Sequence, residues 1–227
     1  MLAAVAALFL AFKLAALPSR RTLAYLFLWP GTDPAPFEAD RRPDPTSTRL
    51  LGQGVAFIAL GLAAFTLSSH PYVAMLGALL LVHMGLFDVL AAAWRWYGLP
   101  VGRICPNPWL SRSLTEFWGV RWNLAFHFVA RERVYKPIAK RWGRGAALAA
   151  TFLFSGLLHE LAISFPAGGG WGLPTLYFAL QGVFVWAERH GRLRPRRWTT
   201  LALVLVPAPL LFHAPFVENV VLPMVMP

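Results

Sequence analysis

The chain has a single cysteine, Cys105, so no internal disulfide forms. No Cys or His stands near it at metal-ligand spacing, so it suggests neither a zinc site nor a catalytic thiol. Charge is scarce as well. Asp, Glu, Lys and Arg make up 14% of the 227 residues, where a soluble domain carries about 25%. Acidic residues are the scarcest of these, 10 against 21 Lys and Arg, for a formal charge of +11. No internal repeat is visible. What is abundant is apolar surface: 57% of residues are hydrophobic, and mean hydropathy is +0.54. Several apolar runs approach or exceed the roughly 17–25 residues that cross a bilayer as helix. These features predict an all-α, polytopic transmembrane helix bundle forming one domain, residues 1–227.

The spans can be placed in order. Met1–Leu17 lacks the basic leader of a cleaved signal peptide and reads as a first membrane helix with its N-terminus outside. Leu23–Trp29 suits a segment lying in the interface, and Thr32–Arg49, rich in Pro, Asp and Arg, suits a solvated loop. Leu50–Leu67 and Tyr72–Trp96 follow as spans joined by the turn Ser68–Pro71. Gly98–Arg112 is irregular, and Ser113–Arg133 reads as a helix too polar to face lipid throughout. Ala146–Phe165, Pro174–Ala187 and Thr199–Phe212 complete about six spans plus interfacial or re-entrant helices. All 21 Lys and Arg fall within Lys13–Arg49, Arg95–Arg144 and Arg189–Arg197. Every basic loop then lies on one side, which positive-inside retention makes cytoplasmic. This placement argues against nucleic acid and for an anionic leaflet or a phosphate-bearing cosubstrate.

Few polar residues interrupt the apolar runs. Within Thr151–Pro166 stands the pair His159-Glu160, which costs roughly 2.5–3.5 kcal/mol per charged group to insert. Thr151, Ser155 and His159 share one helix face, and Gly156, Glu160 and Ser164 share the next. The stripe reads equally well as interhelical packing and as a general base held away from water. Glu160 reads as a residue that orients the site or pairs with a nearby arginine. Upstream, Phe117-Trp118-Gly119-Val120-Arg121-Trp122-Asn123 combines aromatics, a guanidinium and an amide. An interfacial helix accounts for its tryptophans but less well for Asn123. The basic cluster Arg131, Arg133, Lys136, Lys140, Arg141 and Arg144 surrounds Val134-Tyr135-Lys136-Pro137. It reads as a positive-inside loop or as a platform for phosphates. His127 suits a secondary polar contact, and His83, Asp88 and Gln181 are candidates to line an acceptor cavity.

Three of these motifs occur in order over Ser113–Pro166: Phe117 to Asn123, Val134-Tyr135-Lys136-Pro137, and Ser155-Gly156-Leu157-Leu158-His159-Glu160-Leu161. Together they resemble the wax synthase branch of the membrane-bound O-acyltransferases, and Tyr25–Asp33 (YLFLWPGTD) resembles an upstream element of that family. The resemblance implies acyl transfer from acyl-CoA to a hydroxyl, with His159 as general base and Asn123 as its partner on the acyl carbonyl or oxyanion. Trp118, Arg121, Trp122, Tyr135, Lys136, Ser155 and Glu160 are the accompanying substrate contacts. No metal and no cofactor beyond the acyl-CoA cosubstrate is implied. The expected partners are acyl-CoA, a lipophilic hydroxyl acceptor and the bilayer. The chain is short for that family, and so small a bundle leaves the substrate tunnel open on one side, to be closed by lipid, by a second copy in a homo-oligomer, or not at all. Two other readings stand beside this one: a non-catalytic membrane scaffold or lipid binder, and haem binding or proton conduction through His83, His159 and His213.

Overall fold

The computed structural model describes residues 10–42 and 44–225, and among these the chain is all helix and connection, without strands. Residues 10–14 are helical; the rest of the expected first span falls largely outside the described residues. The helices are α1 (Thr22–Leu28), α2 (Ala35–Glu38), α3 (Ser47–Leu67), α4 (Pro71–Trp96), α5 (Leu124–Ala167), α6 (Leu173–Arg189), α7 (Arg197–Leu211) and α8 (Ala214–Met224).

Three of them, α3, α4 and α5, are long and apolar enough to cross a membrane, and there are four such spans if the pair α7–α8 counts as one. The expectation of six spans therefore does not hold among the described residues. α6 has 17 residues, one turn short of a comfortable crossing, and α7 meets α8 at a 69° bend. The bend falls at Phe212 and His213, whose backbones leave the helical region, and Pro215 stands in the first turn of α8, where a missing N–H costs nothing. Conversely, α5 absorbs residues expected to lie in separate segments and runs for 44 residues. A straight helix of that length would span about 66 Å, twice a hydrocarbon core. Gly143, at φ 81° and ψ 171°, breaks it into a basic first part and an apolar second part.

The two helices of the first hairpin, α3 and α4, approach to backbone contact. A Cβ on Gly61 would sit 2.6 Å from Leu81 N and 2.7 Å from the Gly77 carbonyl, and one on Gly77 would sit 2.7 Å from the Gly61 carbonyl. Only glycine allows this approach, the device by which membrane helices gain packing without a hydrophobic drive. α3 starts from an Asx turn, in which Asp44 Oδ1 accepts from Thr46 N (2.8 Å) and Thr46 Oγ1 (2.7 Å).

The segment expected to be a solvated loop is not wholly so. Phe37 on α2 is fully buried against Tyr25 and Trp94, at 5.5 Å from each ring. Lys13 is likewise buried, with Nζ donating to the carbonyls of Tyr25, Leu26 and Trp29. A cation there compensates the exposed carbonyls at the C-terminus of α1. Two apolar cores result. One gathers Tyr25, Trp29, Phe37, Met84, Leu99 and Ala125; the other gathers Leu114, Phe117, Phe152, Tyr177, Phe178 and Val185. Trp122 packs against both.

Candidate active site

Between the two cores lies a cavity of about 760 Å³. Its walls come from four places: His83 on α4; Thr115, Trp118, Gly119, Trp122 and Asn123 on the segment before α5; one face of α5; and Phe178, Val185 and Arg189 on α6. Asn123 and His159, drawn from motifs far apart in sequence, both line it.

The segment carrying Asn123 is not the continuous helix expected over Ser113–Arg133. It is helical through Leu114–Glu116, widens to a π-turn at Phe117–Arg121, and breaks at Trp122 and Asn123. Glu188 on α6 starts it, its carboxylate accepting from Leu114 N (2.8 Å), Thr115 N (3.0 Å) and Thr115 Oγ1 (2.9 Å). An acidic group satisfying helix-start N–H groups is the favourable polarity. Glu188 adjoins a run of arginines and belongs to none of the sequence motifs.

Asn123 takes the left-handed conformation, φ 43° and ψ 59°, a region asparagine tolerates better than most residues. Its neighbours grip the turn. Asn123 N donates to Cys105 Sγ (3.3 Å) and Leu124 N to the Ile104 carbonyl (2.8 Å). The Ala125 carbonyl accepts from Thr32 N (2.9 Å) and Thr32 Oγ1 (2.6 Å), while Tyr25 Oη donates to the Thr32 carbonyl (2.8 Å). The Tyr25–Asp33 stretch thus braces the asparagine turn from behind. Among the described residues, no group hydrogen-bonds the Asn123 side-chain amide. Burial pushes the Cys105 thiol up to about 12, so it is a neutral packing group here.

On the opposite wall, His159 ends the regular part of α5, and the backbone widens to a π-turn at Glu160–Ser164. Such turns concentrate at functional sites. His159 Nδ1 lies 2.7 Å from the Ser155 carbonyl. A carbonyl only accepts, so Nδ1 carries the proton and Nε2 is the basic nitrogen. The ring rests against Phe178, centroids 4.3 Å apart.

The two faces expected on this helix separate. Thr151, Ser155 and His159 line the cavity. Gly156, Glu160 and Ser164 are buried against α6 and the turn before it, where a Cβ on Gly156 would meet Thr175 Cα at 2.8 Å. Glu160 Oε1 accepts from Gly172 N (3.1 Å), Thr175 N (3.0 Å) and Thr175 Oγ1 (2.8 Å), tying the start of α6 to α5.

Of the sequence candidates, Trp118, Trp122, Tyr135 and Ser155 line the cavity with Asn123 and His159. Arg121, Lys136 and Glu160 do not. Arg121 Nε donates to Glu116 Oε1 (2.6 Å) and Nη1 to the Pro106 carbonyl (3.0 Å). The Glu116 carboxyl is held below its ordinary value, first by the Arg112 N–H and then by Arg121. Lys136 pairs with Glu132 one turn earlier, at 2.7 Å.

His83 and His127 line the cavity, whereas Asp88 and Gln181 do not. Asp88 is sealed in a two-pronged pair with Arg103, at 2.9 and 2.5 Å. Gln181 accepts from Trp118 Nε1 (3.2 Å) and donates to the Leu203 carbonyl (2.9 Å). Arg131 and Arg189 also line the cavity, and beside it lies a smaller hollow of about 490 Å³ bounded by Tyr135, Arg144, Trp186, Arg189 and His190. No three His, Cys, Asp or Glu side chains come together as a metal site among the described residues.

Comparison with known proteins agrees with the motif reading. Residues 102–180 match the model of the membrane bound O-acyl transferase family. A "probable long-chain-alcohol O-fatty-acyltransferase 8" of Arabidopsis thaliana is 30% identical over 177 residues, 69% of this chain and 52% of that protein. The long-chain-alcohol O-fatty-acyltransferase of Simmondsia chinensis is 31% identical over 115 residues, 44% of this chain and 32% of that protein. An acyl-CoA–sterol O-acyltransferase of Arabidopsis thaliana is 38% identical over 62 residues, 24% of this chain and 18% of that protein. The chain spans about half the length of the relatives it matches, or less.

Proposed function

Because the chain belongs to the wax synthase-like branch of the membrane-bound O-acyltransferases, we propose that it esterifies a lipophilic alcohol from acyl-CoA inside the 760 Å³ cavity. The observation that carries this reading is the meeting of the Asn123 and His159 motifs on one cavity with mostly apolar walls. In the reaction, the alcohol oxygen attacks the thioester carbonyl carbon as His159 Nε2 takes the hydroxyl proton. The Asn123 amide donates a hydrogen bond to the oxyanion that develops. The carbon–sulfur bond then breaks, the proton returns to the departing thiolate, and ester and free CoA leave. No acyl-enzyme and no cofactor beyond acyl-CoA is needed. Apolar walls keep water from competing with the alcohol.

Acyl-CoA enters from the basic side, which we read as cytoplasmic. Arg131 and Arg189 at the cavity and Arg144 at the adjoining hollow are placed to meet its phosphates. A long-chain alcohol is the favoured acceptor, following the names of the matched relatives, and a sterol is the next. The test is thiol release from acyl-CoAs of increasing chain length, with and without alcohols, in detergent-purified protein and in His159→Ala. Alcohol-dependent release that falls about 10²–10⁴-fold in the variant is the expected result. No alcohol-dependent release by folded protein from any donor would overturn the proposal in favour of a non-catalytic lipid binder. Equal release by both proteins would remove His159 from the base role.

A further inference from the structure

The cavity holds a second imidazole that the reaction above does not use. His83 sits in the π-turn Leu80–Leu86 of α4 and lines the cavity together with residues of α5 and α6. Among the described residues, its Nδ1 is buried without a hydrogen-bond partner, and nothing bonds its Nε2 either. The ring lies parallel to Trp122, at 3° with centroids 6.1 Å apart, and edge-on to Phe87 at 5.4 Å. Trp122 in turn stacks on Phe117 at 5.6 Å. The imidazole is therefore fixed by aromatic contact beside the asparagine turn, and none of the described residues satisfies it. A polar ring in an apolar wall is destabilising unless something pairs with it.

The reaction needs two polar anchors besides the base, one for the oxyanion and one for the attacking hydroxyl. Asn123 serves the first. Resting on the proposed function, we infer that His83 is the anchor for the acceptor alcohol. The anchor uses the tautomer that carries the ring proton on Nε2. Nε2–H then donates to a lone pair of the alcohol oxygen, leaving the hydroxyl proton to point at His159. No bond forms or breaks at His83. Its contribution is to select ligands that end in a hydroxyl and to hold that end at the asparagine turn.

His83→Phe keeps the stack on Trp122 and removes both nitrogens, while His83→Gln restores a donor. With 1-dodecanol and oleoyl-CoA, the KM for the alcohol should rise about tenfold in His83→Phe. The KM for acyl-CoA and the melting temperature should hold, and His83→Gln should recover part of the loss. An unchanged alcohol KM, or a rise in both KM values together, would overturn the inference. So would a drop in melting temperature as the only effect, since that means packing. A diazirine-bearing long-chain alcohol photolabelling the His159→Ala protein reads binding without turnover. Labelling competed by 1-dodecanol and lost in His83→Phe/His159→Ala supports the anchor even where esterification is absent. Labelling indifferent to residue 83 contradicts it.

Discussion

The hairpins α3–α4 and α5–α6 use the same ingredients, two antiparallel apolar helices joined by a short turn, and arrive at opposite results. In the first, Gly54, Gly61, Gly77 and Gly85 let the backbones touch. In the second, close approach is confined to places such as Gly156 against Thr175 and Gly182 against Phe152. Elsewhere Trp118 wedges against the pair, with ring centroids 6.0 Å from Phe152 and 5.6 Å from Phe178. The cavity opens beside this wedge, walled also by His83 of α4 and by the segment before α5. Glycines at the seam close the first hairpin, whereas at the second, aromatics brought from outside border the open space. Polar groups divide between sealed sites and the cavity, to which α4 itself contributes His83. In the first half, the buried Asp88 is matched by Arg103 and, beyond it, Asn107 and Gln53. At the cavity, the side chains of Asn123 and His83 are left without hydrogen-bond partners among the described residues.

That contrast can be broken most severely at the sealed side. Arg103→Ala leaves the Asp88 carboxylate, 0% exposed, without its partner. The expected loss is about 3–5 kcal/mol, read as a large drop in the detergent melting temperature; a shift of a degree or two would mean that the first half is not sealed. The glycines sharpen the comparison next. Gly61→Ala forces a Cβ into backbone and should cost about 1–3 kcal/mol. Gly119 lines the cavity, and a Cβ added there would meet nothing within 4 Å. Gly119→Leu should therefore stay within about 0.5 kcal/mol while shifting the preferred substrate to shorter chains. Equal destabilisation by the two substitutions would erase the distinction.

The smallest effect is expected at Cys105. Its thiol is raised to about 12 in the folded protein, against about 8.5 in an unfolded chain. The neutral form is favoured by folding, so this contribution is complete below pH 8.5 and fades as pH climbs toward 12. Maleimide at pH 8 should leave the folded protein unlabelled and react after unfolding. Rapid labelling of folded protein would show that the packing behind the asparagine turn is open.

Much of the scaffold was legible in the residues. α3 and α4 begin and end within a few positions of where their apolar runs do, because a continuous apolar stretch has no other way to satisfy its backbone in lipid. The face bearing Thr151, Ser155 and His159 followed from helical period alone. Breaks and continuations were harder. The basic run before Gly145 looked like a loop because Lys and Arg lower hydropathy, yet their stems extend from a helix without ending it. The expected span Thr199–Phe212 matches α7 to within two residues, but nothing in its apolar run announced the 69° turn into α8 that follows. Glu160 and Glu188 each take up N–H groups at the start of a helix that reaches them from distant sequence, a pairing no local pattern encodes. The left-handed turn at Asn123 was hidden by aromatics that fit a helix equally well; the asparagine itself was the available sign.

The central claim is that the Asn123 amide, and not merely the turn it occupies, faces the reacting carbonyl. Asn123→Gly separates the two, because glycine adopts φ 43° without strain and carries no side chain. The measurement is the rate of alcohol-dependent CoA release together with the melting temperature of the same preparation. The account predicts a fall of about 10²–10³-fold in rate with the melting temperature nearly unchanged. Wild-type release from Asn123→Gly would contradict it and leave Asn123 as a turn residue alone.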